Sequence, residues 1–363
     1  MVKLVLTEDE TMLADAARGF LDKSAPVKAF RDLRDAGKTH DAKMWKEMAA
    51  MGWAGGSDMG HAAAGVLAQE MGKTLVVSPF LSTAVIAATA LRHVSDARAE
   101  AALAKIASGE ATYALAVDET SKFNPDATAM IATSEGNGFR LTGKKTFVVD
   151  GALADRLLVL AKTDTGLTLF DIPADRAGVT RTAQNMIDAR DSARINFDDV
   201  EATGDDVLGQ VDSAMTVLKP AIEAGQAALA AEMAGLSAGA FGMTVGYLKE
   251  RKQFGTLIGS FQALQHRAAH LWCEIEVTAS AVLHAGRKLD EDPDNATMAV
   301  SLAKARATST AQLAVQEGVQ MHGGIGMTDA FDIGFYMKRA RVGAEWLGDY
   351  GYHANQVAKH RRF

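Results

Sequence analysis

The feature that most constrains the fold is a change of hydrophobic period in the middle of the chain. From Thr112 the segments YALAVDE, MIATSEG, GFRLTGKKTFVV, RLLVLAKT, GLTLFDIP and ARINFDDV are short, β-branched and alternating, with Gly, Asp and Asn turns between them. Short strands at such regular spacing predict a small β-barrel or sandwich over residues 112–212. On both sides the period is helical. Residues 8–36 carry Leu13, Ala17, Phe20 and Leu21 at bundle spacing, and Met44–Gly52 and residues 62–72 and 78–111 continue the pattern. After Ser213, long helical runs at about 215–250, 261–288, 294–322 and 331–358 predict an up-and-down four-helix bundle. The layout is mostly α with a middle β domain: a helical domain over 1–111, the β domain over 112–212 and the bundle over 213–363.

Composition narrows the function classes. A 363-residue chain with 48% hydrophobic and 23% charged residues has ample material for packed cores. Its formal charge of −7 argues against nucleic acid or an anionic membrane as partner. No run approaches the ~20 apolar residues of a membrane span. The opening MVKLVLTEDE turns acidic too early for a signal peptide, so a cytoplasmic location is expected. Cys273 is the lone cysteine, which excludes an internal disulfide and a cysteine metal cluster. Its neighbours Leu271 and Trp272 predict a buried core thiol. His266 and His322 belong to no ligand-spaced pair, and no metal site is expected. The acidic stretch 290–295 reads as a solvated turn.

Two stretches carry chemistry. Glu250–Gln262, ERKQFGTLIGSFQ, reads as a corner between helices that presents Arg251, Phe254 and Gln262. A guanidinium fork can hold a phosphate and the ring can stack on a planar group, but a solvated basic bundle corner has the same composition. The second is Gln320–Gly326, QMHGGIG, where Gly323 and Gly324 permit close backbone approach to an anion. Together the two motifs closely resemble the acyl-CoA dehydrogenase family of flavoproteins, and the resemblance extends over nearly the whole chain. It implies FAD as cofactor, with Arg251, Phe254, Gln262, Gln320, Gly323 and Gly324 gripping its diphosphate and adenosine, largely across a subunit interface. It further implies a homo- or hetero-oligomer, an acyl-CoA substrate drawn from lipid β-oxidation, and electron-transfer flavoprotein as acceptor.

The chain also departs from that pattern. Most of the family takes its base from a glutamate on the last helices, and here the matching position is Leu347, in AEWLGD. A second branch takes it from the first long helix of the bundle, where this chain has Gly225. Glu345 and Asp349 flank the first position, and Glu223 and Glu232 the second. Two residues along a helix is a rotation of about 200°, which turns a side chain nearly opposite. On the flavin face, Ala116 and Val149 stand where the family has threonines, while Phe147 keeps an aromatic residue. The loop AGGSDMGHA is shorter than the family's loop toward the acyl pocket. These departures resemble the shorter, base-less subunit of the heterotetrameric dehydrogenases of bacterial steroid side-chain degradation. The expectation is a subunit that completes a partner's FAD site. The alternatives are a self-sufficient dehydrogenase with a displaced carboxylate, and a flavin-free scaffold that binds CoA esters.

Overall fold

A computed structural model describes residues 4–363. Its helices are α1 (Glu8–Ser24), α2 (Val27–Asp35), α3 (Ala42–Ala50), α4 (His61–Thr74), α5 (Ala88–Arg92) and α6 (Ala97–Ala107) before the strands. After them come α7 (Ala214–Glu250), α8 (Gln262–Glu291), α9 (Thr297–His322), α10 (Ile333–Glu345) and α11 (Tyr350–Arg361). The strands are β1 (Tyr113–Ala116), β2 (Ile131–Glu135), β3 (Gly138–Val149), β4 (Arg156–Lys162), β5 (Leu167–Pro173), β6 (Val179–Ala183) and β7 (Ser192–Thr203). A short hairpin, β8 (Lys252–Gln253) and β9 (Thr256–Leu257), follows α7. Contacts divide the chain into two compact units. One holds the chain up to Ala36, Gly60–Val76 and Gln226–Phe363; the other holds Gly37–Met59 and Val77–Gly225.

The second unit is built on a curled seven-stranded sheet in the order β1-β4-β2-β3-β7-β6, with β5 paired to β4. β7 alternates buried and open positions as a half-covered strand should, whereas β4 buries five residues running, Leu157–Ala161. Ala116, Leu141, Val159, Phe170 and Ile195 fill its interior. β6, the polar string VTRTA, is a strand the alternation did not announce. Register shifts in β3 fall between Leu141 and Gly143 and between Lys145 and Val148. The later one holds Phe147 at φ +51. Ahead of the sheet, the two helical segments expected within 78–111 are separated after Arg92, and Phe80–Ala87, leading into α5, is a fully buried π-helix. Thr83 ties it to β1, its Oγ1 accepting from Tyr113 N at 2.8 Å and donating to Tyr113 O at 3.1 Å.

The first unit starts at a capping box, Thr7 with Glu10, which satisfies free N–H groups at the head of α1. The helix expected over 8–36 is broken at Ala25, because Pro26 disfavours helical backbone in the residue before it. α4 and α7 cross closely: a Cβ on Gly72 would lie 2.0 Å from Glu232 O, and one on Gly235 1.8 Å from Gln69 O. The helix expected over 331–358 is interrupted by Trp346–Asp349, giving α10 and α11. Three surface readings need correction. Cys273 is exposed, alongside Trp272 and Val277 at 52% and 55%, because this face of α8 is uncovered within the chain. Asp290 is exposed but not merely solvated, since its carboxylate accepts from His61 N and Ala62 N at 2.6 and 3.0 Å and caps α4. α7 is long and apolar enough to cross a membrane, but 67% of its apolar window is buried in the fold, as in a core helix.

Candidate functional site

The corner around Arg251 is a β-hairpin, where the sequence suggested a plain turn between helices. Gln253 pairs with Thr256, leaving Phe254 and Gly255 as a two-residue loop at φ +55 and +78, the primed-turn geometry that matches strand twist. Left-handed backbone is unfavourable for a phenylalanine, yet the ring is held there and is 91% exposed. Its nearest aromatic neighbour is Phe261, with ring centroids 6.2 Å apart. Arg251 is anchored by its main chain, donating to Tyr247 O and accepting from Ile258 N, both at 2.9 Å. Its guanidinium is exposed and has no carboxylate partner among the described residues. Gln262 opens α8 and is exposed as well. The corner therefore displays a cation, a ring and an amide to solvent.

The glycine turn lies at the end of α9. Gly323 takes φ +64 and ψ −144, a conformation open only to glycine, and breaks the helix there. A Cβ on Gly323 or Gly324 would meet nothing within 4 Å, so the backbone at both is open to an approaching group. Gln320 is exposed on the last turn of α9. His322 turns inward, with its ring 4.5 Å from Tyr247 and 4.7 Å from Phe331. Its Nδ1 donates to Gly318 O at 2.6 Å, and burial lowers its pKa, so it is a neutral packing residue. Arg251, Gln262 and Gln320 are exposed donors and the backbone at Gly323 and Gly324 is open, groups of the kind that can hold the diphosphate and adenosine of a dinucleotide.

The positions matched to a flavin ring lie in the other unit and fit less well. Phe147 is 40% exposed, with its N–H donating to Gln184 Oε1 at 3.0 Å. Ala116 and Val149 are buried and bring no hydroxyl. Asp118, beyond β1, is a feature the sequence reading missed. Its main-chain carbonyl accepts from Thr146 N at 2.8 Å, and its Oδ1 is buried without a hydrogen-bond partner among the described residues. Burial raises its pKa to about 6, against the opposing pull of Lys145.

Among the described residues, the carboxylates nearest the two expected base positions have other partners. Leu347 is 2% exposed at φ +57, and Gly225 is enclosed within α7. Asp349 is the N-cap of α11, accepting from Tyr352 N at 2.8 Å. Glu345 lies 3.9 Å from Arg341, Glu223 3.9 Å from Lys219, and Glu232 3.4 Å from Arg339. Around Leu347 there is instead a knot of buried donors. Gln226 Nε2 and His353 Nε2 donate to Leu347 O at 2.9 and 3.1 Å. Lys304 Nζ donates to Gly343 O at 2.8 Å and Gly348 O at 3.2 Å. Burial lowers the Lys304 pKa to about 7, opposed by Glu345 and Asp349, and burial together with the Lys304 charge lowers that of His353 to about 4. A signal for Lys304 existed: it shares the apolar stripe of Val300, Ala307 and Ala311 on α9.

Comparison with known proteins identifies the family and the fold. Residues 7–110 match the family model described as acyl-CoA dehydrogenase, N-terminal domain, and residues 215–361 match acyl-CoA dehydrogenase, C-terminal domain. Acyl-CoA dehydrogenase IpdE2 of Mycobacterium tuberculosis is 31% identical over 352 residues, covering 94% of this chain and 93% of the relative. A solved structure described as the Tcur3481-Tcur3483 steroid ACAD aligns at TM-score 0.86 with 27% identity, covering 98% of each chain. The ChsE4-ChsE5 complex from Mycobacterium tuberculosis aligns at TM-score 0.88 with 24% identity, covering 99% of this chain and 98% of that one, and shares the fold.

Proposed function

Because the chain belongs to the acyl-CoA dehydrogenase family, we propose that it is a base-deficient subunit of an acyl-CoA dehydrogenase that completes a partner's FAD site. The observation that carries this reading is a contrast within one chain. Both base positions are apolar or side-chain-free and enclosed, while the nucleotide-holding groups are displayed and unpaired. FAD is the cofactor, and when bound it supplies the hydride acceptor for α,β-dehydrogenation of an acyl-CoA thioester. Arg251, Gln262, Gln320 and the open backbone at Gly323 and Gly324 would hold the nucleotide, the guanidinium supplying charge-assisted bonds to its diphosphate. Phe254 would supply a stacking surface for it, which is a use for a ring held in left-handed backbone and left in solvent. Phe147 contributes an aromatic surface at the ring. Proton removal from the α-carbon falls to a carboxylate of the partner chain.

The exposed apolar row on α8 supports assembly with another subunit, and the resemblance to a paired steroid dehydrogenase supports a partner of a second kind. The assembly is placed in the cytoplasm, with electron-transfer flavoprotein as acceptor. The test is co-expression with the product of a neighbouring gene, followed by flavin quantitation and a dye-reduction assay with acyl-CoA thioesters. Flavin and turnover that depend on both chains are expected. Robust turnover by this chain alone would overturn the proposal, and absence of flavin from every form would remove its cofactor role.

A further inference from the structure

The segment that leaves the glycine turn, Met327–Asp332, has few main-chain bonds of its own, Thr328 N to Ile325 O at 3.1 Å, Phe331 N to Thr328 O at 3.5 Å and Phe335 N to Asp332 O at 2.9 Å. It is held instead by α2, some three hundred positions earlier in the sequence. Arg34 grips Asp329 with both terminal nitrogens, at 2.5 and 2.8 Å, and Arg31 grips Asp332 through Nε and Nη2 at 3.0 and 2.5 Å. Arg31 also lies 3.6 Å from Asp329. Both guanidiniums sit over the ring of Phe335, at 4.5 and 4.6 Å from its centroid, and Phe335 packs edge-on to Phe30 at 5.2 Å. The arginine side chains are only 23% and 21% exposed, so this clasp is partly shielded from solvent, and stacking fixes the forks in place.

We infer that Arg31 and Arg34 are positioning residues for the nucleotide-holding turn Gln320–Gly326, which makes the N-terminal helix α2 a working part of the cofactor site. The inference rests on the reading that this turn holds the FAD diphosphate. Two physical effects run in the same direction. The clasp fixes the outgoing end of a turn whose ingoing end is fixed by α9. It also neutralises two carboxylates, six and nine positions beyond Gly323, that would otherwise repel a bound diphosphate.

The test uses the flavin-loaded assembly and compares Arg34→Ala, Arg34→Lys and the charge swap Arg34→Asp/Asp329→Arg with the unmodified chain. Readouts are the FAD dissociation rate, ADP binding to the flavin-free assembly, and thermal unfolding of the flavin-free form. Arg34→Ala should release FAD roughly threefold to fivefold faster, the effect of losing one favourable ion pair. The flavin-free assembly should bind ADP more weakly by a similar factor, and the charge swap, which sets an arginine at position 329 beside Arg31 and Lys338, should not recover the loss. Arg34→Lys keeps charge and fold but not the fork, and should fall between. Unchanged FAD release and ADP binding in Arg34→Ala would overturn the inference, including where flavin-free stability alone falls. An unmodified assembly that carries no FAD would overturn the reading of the turn instead.

Discussion

The side-chain amide of Gln226 donates to the main-chain carbonyl of Leu347 at 2.9 Å. That bond, with the one from His353, fixes the loop at Leu347, and it holds the loop by backbone rather than by the residue's side chain. Leu347→Glu is therefore not a simple restoration. It places a carboxyl at a position 2% exposed, at a cost of about 1–3 kcal/mol unless a new bond forms. The variant should melt below the unmodified chain in calorimetry and show no acyl-CoA oxidation on its own. A stable, active Leu347→Glu chain would mean the pocket accepts a base readily.

The α4–α7 crossing gives a prediction about stability. Gly235 faces the main chain of α4, with a Cβ only 1.8 Å from Gln69 O, so Gly235→Ala must push two helices apart. Overpacking of this kind costs about 1–3 kcal/mol or more, against a helix-propensity gain of about 1. Gly19, inside α1 with nothing within 4 Å of its Cβ, is the control. Gly19→Ala should stabilise by about 0.4–1 kcal/mol. Denaturant midpoints that move the same way for both variants would contradict the close crossing.

Strong periodicity was legible, and it placed most strands and long helices. What it could not say was which apolar stripes the chain covers itself. Trp272 and Cys273 share a helical pattern with buried Leu271, yet that face of α8 is open. The Arg251 hairpin was missed because a two-residue loop with Phe ahead of Gly lacks the Asn or Asp that announces a primed turn. The interruption at Trp346–Asp349 contains no proline; Gly348 at φ +106 and the N-cap Asp349 make it, and the distant donors Gln226, Lys304 and His353 hold it. Motif residues were legible as a set, but only the structure shows Phe254 in solvent and Gly225 enclosed.

Arg251 separates a binding role from a basic helix end. Arg251→Ala should lower the flavin content of the purified assembly, since a charge-assisted bond of this kind contributes about 1.5–3 kcal/mol. Its side chain is exposed and has no carboxylate partner among the described residues, so folding stability should hardly change. The ratio of flavin to protein absorbance checks the first expectation and calorimetry the second. Equal flavin content would return Arg251 to an ordinary solvated role.

Asp118 predicts a pH dependence whose sign follows from its burial. Its pKa in the fold is raised from 3.8 to about 6. Between those values the folded chain keeps a proton that the unfolded chain has released, so stability falls as pH rises through this window. The deficit is absent below about pH 4 and complete above about pH 6, and from the shift it is on the order of 2–3 kcal/mol. Asp118→Asn removes the charge while keeping the shape. The variant should match the unmodified chain near pH 4 and exceed its unfolding free energy at pH 8. Lys145, Glu119 and Asp171 also shift with folding, so the quantity to follow is the difference between the two proteins across pH. Parallel stability curves would show that Asp118 is solvated in the folded protein and ionises at its ordinary pKa.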